Sequence, residues 1–104
     1  MENKKYILSI LPMFEDDLNE TIDYISEKLK NPAAALRLVN DIESAILNRL
    51  DNPLGFEQYR SSRKRPHNYY RIYIRNYTVY YVVIDNVMEV RRLLYSARDI
   101  NSLL

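Results

Sequence analysis

Hydrophobic residues change their spacing midway along the chain, and the change separates a helical part from a strand part. Phe14, Leu18, Ile22, Ile25 and Leu29 recur every three or four positions, which places them within about 80° of one another on a helix of 3.6 residues per turn. Asp16, Glu20, Asp23 and Glu27 take the other side. Pro12 suits the first turn of this helix, where its missing N–H costs nothing. Asn31-Pro32 then breaks the chain and restarts it, Asn as a cap and Pro at the first position of a second helix. Ala35, Leu38, Val39, Ile42, Ile46 and Leu50 form the second apolar stripe, which Asp51-Asn52-Pro53-Leu54-Gly55 ends. Two amphipathic helices joined by a tight break predict an antiparallel helical hairpin.

Residues 56–68 are polar, basic and irregular, and beyond them the period becomes two. In Tyr69–Arg75 the apolar Ile72 and Ile74 alternate with Arg71, Tyr73 and Arg75, which reads as a half-buried strand. Tyr77–Ile84 is almost wholly apolar and β-favouring, as a central strand requires. Asp85-Asn86 marks a tight turn, and Val87–Leu94 forms a further strand. With Lys5–Ile10 as a short opening strand, the order is β-α-α-β-β-β. The fold class is therefore α+β: a helical hairpin packed on one face of a small, mainly antiparallel, twisted sheet, with a short C-terminal helical tail ending at Leu103-Leu104. At 104 residues the chain, 1–104, is expected to form a single domain with one modest core.

Charge sharpens this division. Residues 1–57 carry six basic and eleven acidic residues, whereas residues 58–104 carry nine basic, three acidic and eight of the ten tyrosines. The near-neutral total of +1 hides an acidic helical half and a basic, aromatic strand half. The stretch containing Arg60, Arg63, Lys64, Arg65, Arg71 and Arg75 has no acid within it, a pattern that attracts polyanions or an acidic protein tail. Several function classes drop out. The chain has no cysteine for a disulfide or a thiolate zinc site, and its lone Gly55 cannot make a Gly-rich phosphate loop. With His67 as its single histidine it has no His-based metal site, and neither metal nor cofactor is expected. No apolar run approaches the ~20 residues of a membrane span, and MENKKYILSI reads as a strand, not a signal peptide, which fits a cytoplasmic protein.

The candidate chemistry sits in the strand half. Strict alternation puts Arg71, Tyr73 and Arg75 on one sheet face, roughly 6–7 Å apart, and cations flanking a ring suit a phosphate backbone and an unstacked base. Arg63, Lys64 and Arg65 extend that surface in the preceding loop, either as a docking site or as a solvated segment. Arg98 either pairs locally with Asp99 or projects onto the face of Arg71. The candidate target- or nucleic-acid-binding residues are thus Arg63, Lys64, Arg65, Arg71, Tyr73, Arg75 and Arg98. His67 is read as an incidental loop residue, and the acids of the first helix as a solvated ridge.

In order along the chain, Pro12 with Asp17-Leu18, Ile22-Asp23-Tyr24-Ile25, Asn31-Pro32 with Ala34-Ala35, Leu50 with Pro53 and Gly55, Tyr70-Arg71-Ile72, Tyr80 to Asp85, Leu94-Tyr95 and Arg98-Asp99 resemble the RelE/ParE superfamily. These are toxins of type II toxin–antitoxin pairs, of the plasmid-stabilisation type. The resemblance implies two helices packed on a small antiparallel sheet, inhibition of growth, and neutralisation by a cognate antitoxin. It implies one of two targets: DNA gyrase, as for ParE-type members, or the ribosome, where RelE-type members cut mRNA with basic residues and a tyrosine or histidine on the sheet. Against the nuclease pattern, Arg71 and Arg98 match, whereas Tyr73 stands where a lysine is common. Thr78 replaces a phosphate-contacting arginine, and Leu104 falls where a catalytic tyrosine often lies. Leu11 stands in place of the usual Ser/Thr cap. A nuclease would have to use Arg71, Arg98 and Tyr95 (or Tyr73 as proton acceptor). The departures favour the ParE-like, gyrase-directed mode, with ribosome-dependent mRNA cleavage as the alternative.

Overall fold

The computed structural model describes residues 5–59 and 66–97. Strand β1 (Ile7–Ile10) leads into helix α1 (Pro12–Asp23), which continues as a π-helical turn over Tyr24–Lys28; α2 spans Pro32–Leu50. Four strands follow: β2 (Gln58–Tyr59), β3 (Tyr69–Ile74), β4 (Tyr77–Ile84) and β5 (Val87–Tyr95). They form a mixed five-stranded sheet in the order β1-β5-β4-β3-β2, in which only the β1–β5 pair is parallel. The α+β architecture with helices on one face agrees with the reading from the sequence. Strand β2 is an addition, drawn from a stretch with no alternating pattern. The proposed helical tail lies outside the described residues, as do Arg60, Arg63, Lys64, Arg65 and Arg98.

Local chemistry accounts for the helix ends. Leu11 precedes Pro12 without any side-chain cap, as expected for an apolar residue there. The Asn31 side-chain oxygen accepts from the Ala34 N–H at 3.2 Å, so α2 begins with a bonded cap. The end of α1 departs from the sequence reading. The Leu29 N–H bonds to the Tyr24 carbonyl, five residues back, at 3.1 Å. One extra residue in that turn rotates everything after it by about 100° relative to the α-helical stripe. Phe14 and Ile25 are accordingly buried and Leu18 and Ile22 pack against the core, but Leu29, assigned to the stripe from its spacing, is 56% exposed.

The main core lies between the helices and the sheet. Phe14, Leu38, Ile42 and Ile46 from the helices meet Ile72, Val79, Tyr81, Met88, Val90 and Leu93 from the strands. Tyr81 is fully buried and its hydroxyl is satisfied twice: it donates to the Pro53 carbonyl at 2.7 Å and accepts from Arg49 at 3.0 Å. Arg49 also donates to the Arg71 carbonyl and lies 3.5 Å above the Phe56 ring, tying the end of α2 to the sheet. A β-bulge interrupts the β4–β5 pairing. Tyr80 opposes Arg92 whereas Tyr81 opposes Val90, so Arg91 is the extra residue and the inward residues of β5 become Met88, Val90 and Leu93. Just past the bulge, where β1 no longer covers the edge, Asp17 of α1 substitutes for a strand. Its carboxylate accepts from the Leu93 N–H at 3.0 Å and from two nitrogens of Arg92 at 2.8 and 3.0 Å.

Candidate target-binding face

The sheet face away from the helices is aromatic before it is cationic. Alternation along β3 and β4 sends Tyr69, Arg71, Tyr73, Thr78, Tyr80 and Val82 to that side. Tyr69, Tyr80, Val82 and Leu94 are buried there as a second apolar cluster, with Tyr59 and Ile84 against it. Tyr80 stands edge-on to both Tyr59 and Tyr69, with centroids 6.2 and 6.5 Å apart. Burial is the main reason that the Tyr80 hydroxyl is held above its ordinary pKa, partly offset by the nearby Arg71. The cluster was invisible as such in the sequence, because Tyr69 and Tyr80 read as ordinary strand residues.

Arg71 occupies the rim of this cluster. Its guanidinium carbon lies 4.9 Å from the centre of the Tyr59 ring and 5.5 Å from that of Tyr73, which is itself 63% exposed. Two rings thus flank a cation and hold its plane without neutralising it. Arg91, the bulge residue, adds a second cation 5.7 Å from the Tyr69 ring, but it donates to Glu89 at 2.7 Å and to the Tyr69 hydroxyl at 3.2 Å. Thr78 is buried, with its hydroxyl bonded to that of Ser96 at 2.8 Å.

One sequence expectation needs correction. Arg75 does not continue the alternation of Arg71 and Tyr73. It opens the two-residue turn before β4 with φ 55°, a left-handed conformation, and its guanidinium reaches back to Asp41 of α2 on the helix side. Tyr95 also lies on the helix side. It is paired with Tyr77 across β4 and β5, the rings 5.7 Å apart at 62°, and Tyr77 packs against the main core. The set named for target binding therefore separates: Arg71 and Tyr73 share the open face, and Arg75 leaves it. Of the nuclease set, Arg71 and Tyr95 stand on opposite sides of the sheet. His67 is exposed. Among the described residues no group of three His, Cys, Asp or Glu side chains can hold a metal ion, and no helix is long and apolar enough to cross a membrane.

The family model of the ParE toxin of the type II toxin–antitoxin system parDE matches residues 8–100 of this chain. The chain belongs to the ParE toxin family. Membership within the RelE/ParE superfamily of type II toxins thus agrees with the resemblance read from the residues. Among solved structures, the crystal structure of a RelB–RelE antitoxin–toxin complex from Methanococcus jannaschii is similar, with 24% identity, a TM-score of 0.46, and coverage of 84% of this chain and 88% of that one. No curated protein sequence matches the chain.

In this ParE-family chain alternation singles out Arg71, Tyr73 and Arg75, of which only the first two stay on the open face. It passed over Tyr59, because two residues of strand have no period to detect. It passed over Arg91 because only a bulge, which has no sequence mark here, turns it towards Tyr69. The sequence reading names Asp17 only among the residues of the family resemblance and gives it no role, although Asp17 bonds the sheet edge.

Proposed function

We propose that this ParE-family chain arrests growth by binding and inhibiting DNA gyrase, without cutting RNA, and that a cognate antitoxin silences it in the cytoplasm. The observation that carries this reading is the separation of Arg71 from Tyr95 by the thickness of the sheet, which leaves Tyr73 as the one acceptor of the two named that stands beside Arg71. Cleavage by attack of a ribose hydroxyl needs a proton acceptor and a cation converging on one phosphate. The rings of Tyr59 and Tyr73 around Arg71 instead make a flat, cationic, aromatic surface of the kind that anchors protein interfaces. Purified toxin added to a gyrase supercoiling assay is expected to suppress supercoiling and trap broken DNA, and Arg71→Ala is expected to relieve both. Full supercoiling with no trapped breaks would overturn the reading.

A second reading, ribosome-dependent mRNA cleavage, draws on the same pair, because Arg71 beside an exposed Tyr73 also suits a phosphate and an unstacked base. Primer extension on mRNA from a translating extract separates the two: new 5′ ends that disappear in Arg71→Ala favour cleavage, and an unchanged pattern dismisses it. Co-expression with a cognate antitoxin is expected to restore growth and yield a stable complex.

A further inference from the structure

A cavity of about 560 Å³ opens on the helix side of the sheet, at the end remote from β1 strand pairing, between α1 and the β3–β4 turn. Its walls carry three tyrosines, Tyr24, Tyr77 and Tyr95, together with Leu29 and the carboxylates of Asp17 and Glu20. Tyr24, Leu29 and Tyr95 are each about half exposed, at 52%, 56% and 48%, so apolar and aromatic surface faces an open space. The π-helical turn builds this wall. It begins at Tyr24 and releases Leu29 from the core stripe, and single π turns are frequent at functional sites. The neighbouring rings are close enough that Tyr95 and Tyr24, after burial, help to raise the Tyr77 pKa.

The rest of the molecule indicates what such a wall holds. The ring of Phe56 has Arg49 over it, Tyr59 and Tyr73 have Arg71 between them, and Tyr69 has Arg91. Among the described residues no guanidinium lies over Tyr24, Tyr77 or Tyr95, although carboxylates stand beside them. Asp17 is committed to Arg92 and the Leu93 N–H. Glu20, one turn further along α1, adds negative charge to the lining and shares the field of Arg92, whose charge Asp17 already pairs.

We propose that this cavity is a recognition pocket for an arginine side chain presented by a protein partner. The tyrosine faces take the guanidinium plane and Glu20 takes its charge. Arginine suits the pocket better than lysine because its planar, weakly hydrated group stacks on rings while still donating to a carboxylate. The pocket lies on the opposite side of the sheet from Arg71, so it stands or falls independently of the gyrase reading.

The test is a titration of the full chain followed by two-dimensional amide NMR, with N-acetylarginine amide as probe. N-acetylcitrulline amide serves as its neutral isostere and spermidine as a free polyamine. Saturating shifts are expected around Glu20, Tyr24, Tyr77 and Tyr95 with the arginine derivative only. Tyr24→Ala and Glu20→Gln, both at exposed positions, are each expected to weaken binding by about threefold, in line with a surface cation–π or ion-pair contact. No saturating shifts, equal shifts with the citrulline derivative, tighter binding of spermidine, or unchanged affinity in both variants would each overturn the proposal.

Discussion

The two faces of the sheet hold four tyrosines each and put them to different use. On the helix side stand Tyr70, Tyr77, Tyr81 and Tyr95; on the open side stand Tyr59, Tyr69, Tyr73 and Tyr80. Tyr81 and Tyr70 stack with ring centres 5.2 Å apart, nearly parallel, and Tyr81 has both a donor and an acceptor for its hydroxyl. There the phenol works as core, because a buried hydroxyl is tolerated once it is bonded. On the open side the rings meet edge-on and arginines stand at their margins. There Tyr69 and Tyr80 still pack as core, and Tyr73 works as surface beside the Arg71 guanidinium. One residue type therefore serves stability where it is buried, as Tyr70 and Tyr81 on one side and Tyr69 and Tyr80 on the other, and is open to recognition where it is exposed, as Tyr73 and Tyr95 are, and substitutions are expected to divide along that line.

The largest loss belongs to the helix side. Ile42 is 1% exposed between α2 and the sheet, so Ile42→Ala is expected to cost about 2–5 kcal/mol in urea unfolding. A cost below about 1 kcal/mol would show that the hairpin contributes little to holding the sheet, and the contrast between the faces would fail. Next is Asp17, which joins α1 to the bulged edge of β5. The side chains of Asp17 and Arg92 are only 11% and 15% exposed. Asp17→Ala takes its main anionic partner from a mostly buried guanidinium and leaves the Leu93 N–H unbonded, and is expected to cost about 3 kcal/mol. Adding Arg92→Met to Asp17→Ala should recover part of that loss by removing a mostly buried charge that has lost its Asp17 partner. No recovery would assign the effect to the backbone bond alone.

Tyr81→Phe is expected to cost about 1–3 kcal/mol, because the Pro53 carbonyl and an Arg49 N–H lose their partner inside the core. It also carries a pH signature. Burial raises the Tyr81 pKa above 10.0, against the lowering effect of Arg49. The native protein therefore keeps this proton after the unfolded chain has lost it. The resulting stability is complete below pH about 10 and declines as pH rises through the native value. In Tyr81→Phe the alkaline decline should be shallower by up to about 1.4 kcal/mol per pH unit. Identical alkaline slopes in the two proteins would show that Tyr81 titrates as freely when folded as when unfolded.

The sequence disclosed what depends on periodicity and missed what depends on a local break in it. The stripes of α1 and α2, the alternation of β3 and the apolar run of β4 were legible because burial imposes a regular period on each. The parallel pairing of β1 with β5 was not legible, since strand direction leaves no trace in a four-residue run. Three single-residue events escaped: the π turn that expels Leu29, the left-handed Arg75 that leaves the open face, and the bulge at Arg91. Each inserts or reorients one residue, and each relocates a side chain that bears on recognition. That Arg71 and Tyr73 share a face was therefore legible from alternation, which also put Arg75 there in error, whereas Tyr59, Tyr69 and Arg91 needed three-dimensional placement.

The smallest effect on stability is expected at that pair, and it is the sharpest test of the contrast. Tyr73 is 63% exposed and its ring touches Arg71 from the solvent side. Tyr73→Ala should shift stability by no more than about 0.5 kcal/mol, the usual range for surface changes. Arg71→Ala should cost slightly more, since it uncovers part of the Tyr59 ring as well. Both should nevertheless abolish most growth inhibition when induced at wild-type protein levels, with abundance measured by immunoblot. Ile42→Ala should lose inhibition only in proportion to its lost abundance. If Tyr73→Ala and Arg71→Ala inhibit growth as the parent does while folding normally, the open face is not where the target binds. Recognition would then have to be sought on the helix side, where Tyr24 and Tyr95 are also exposed.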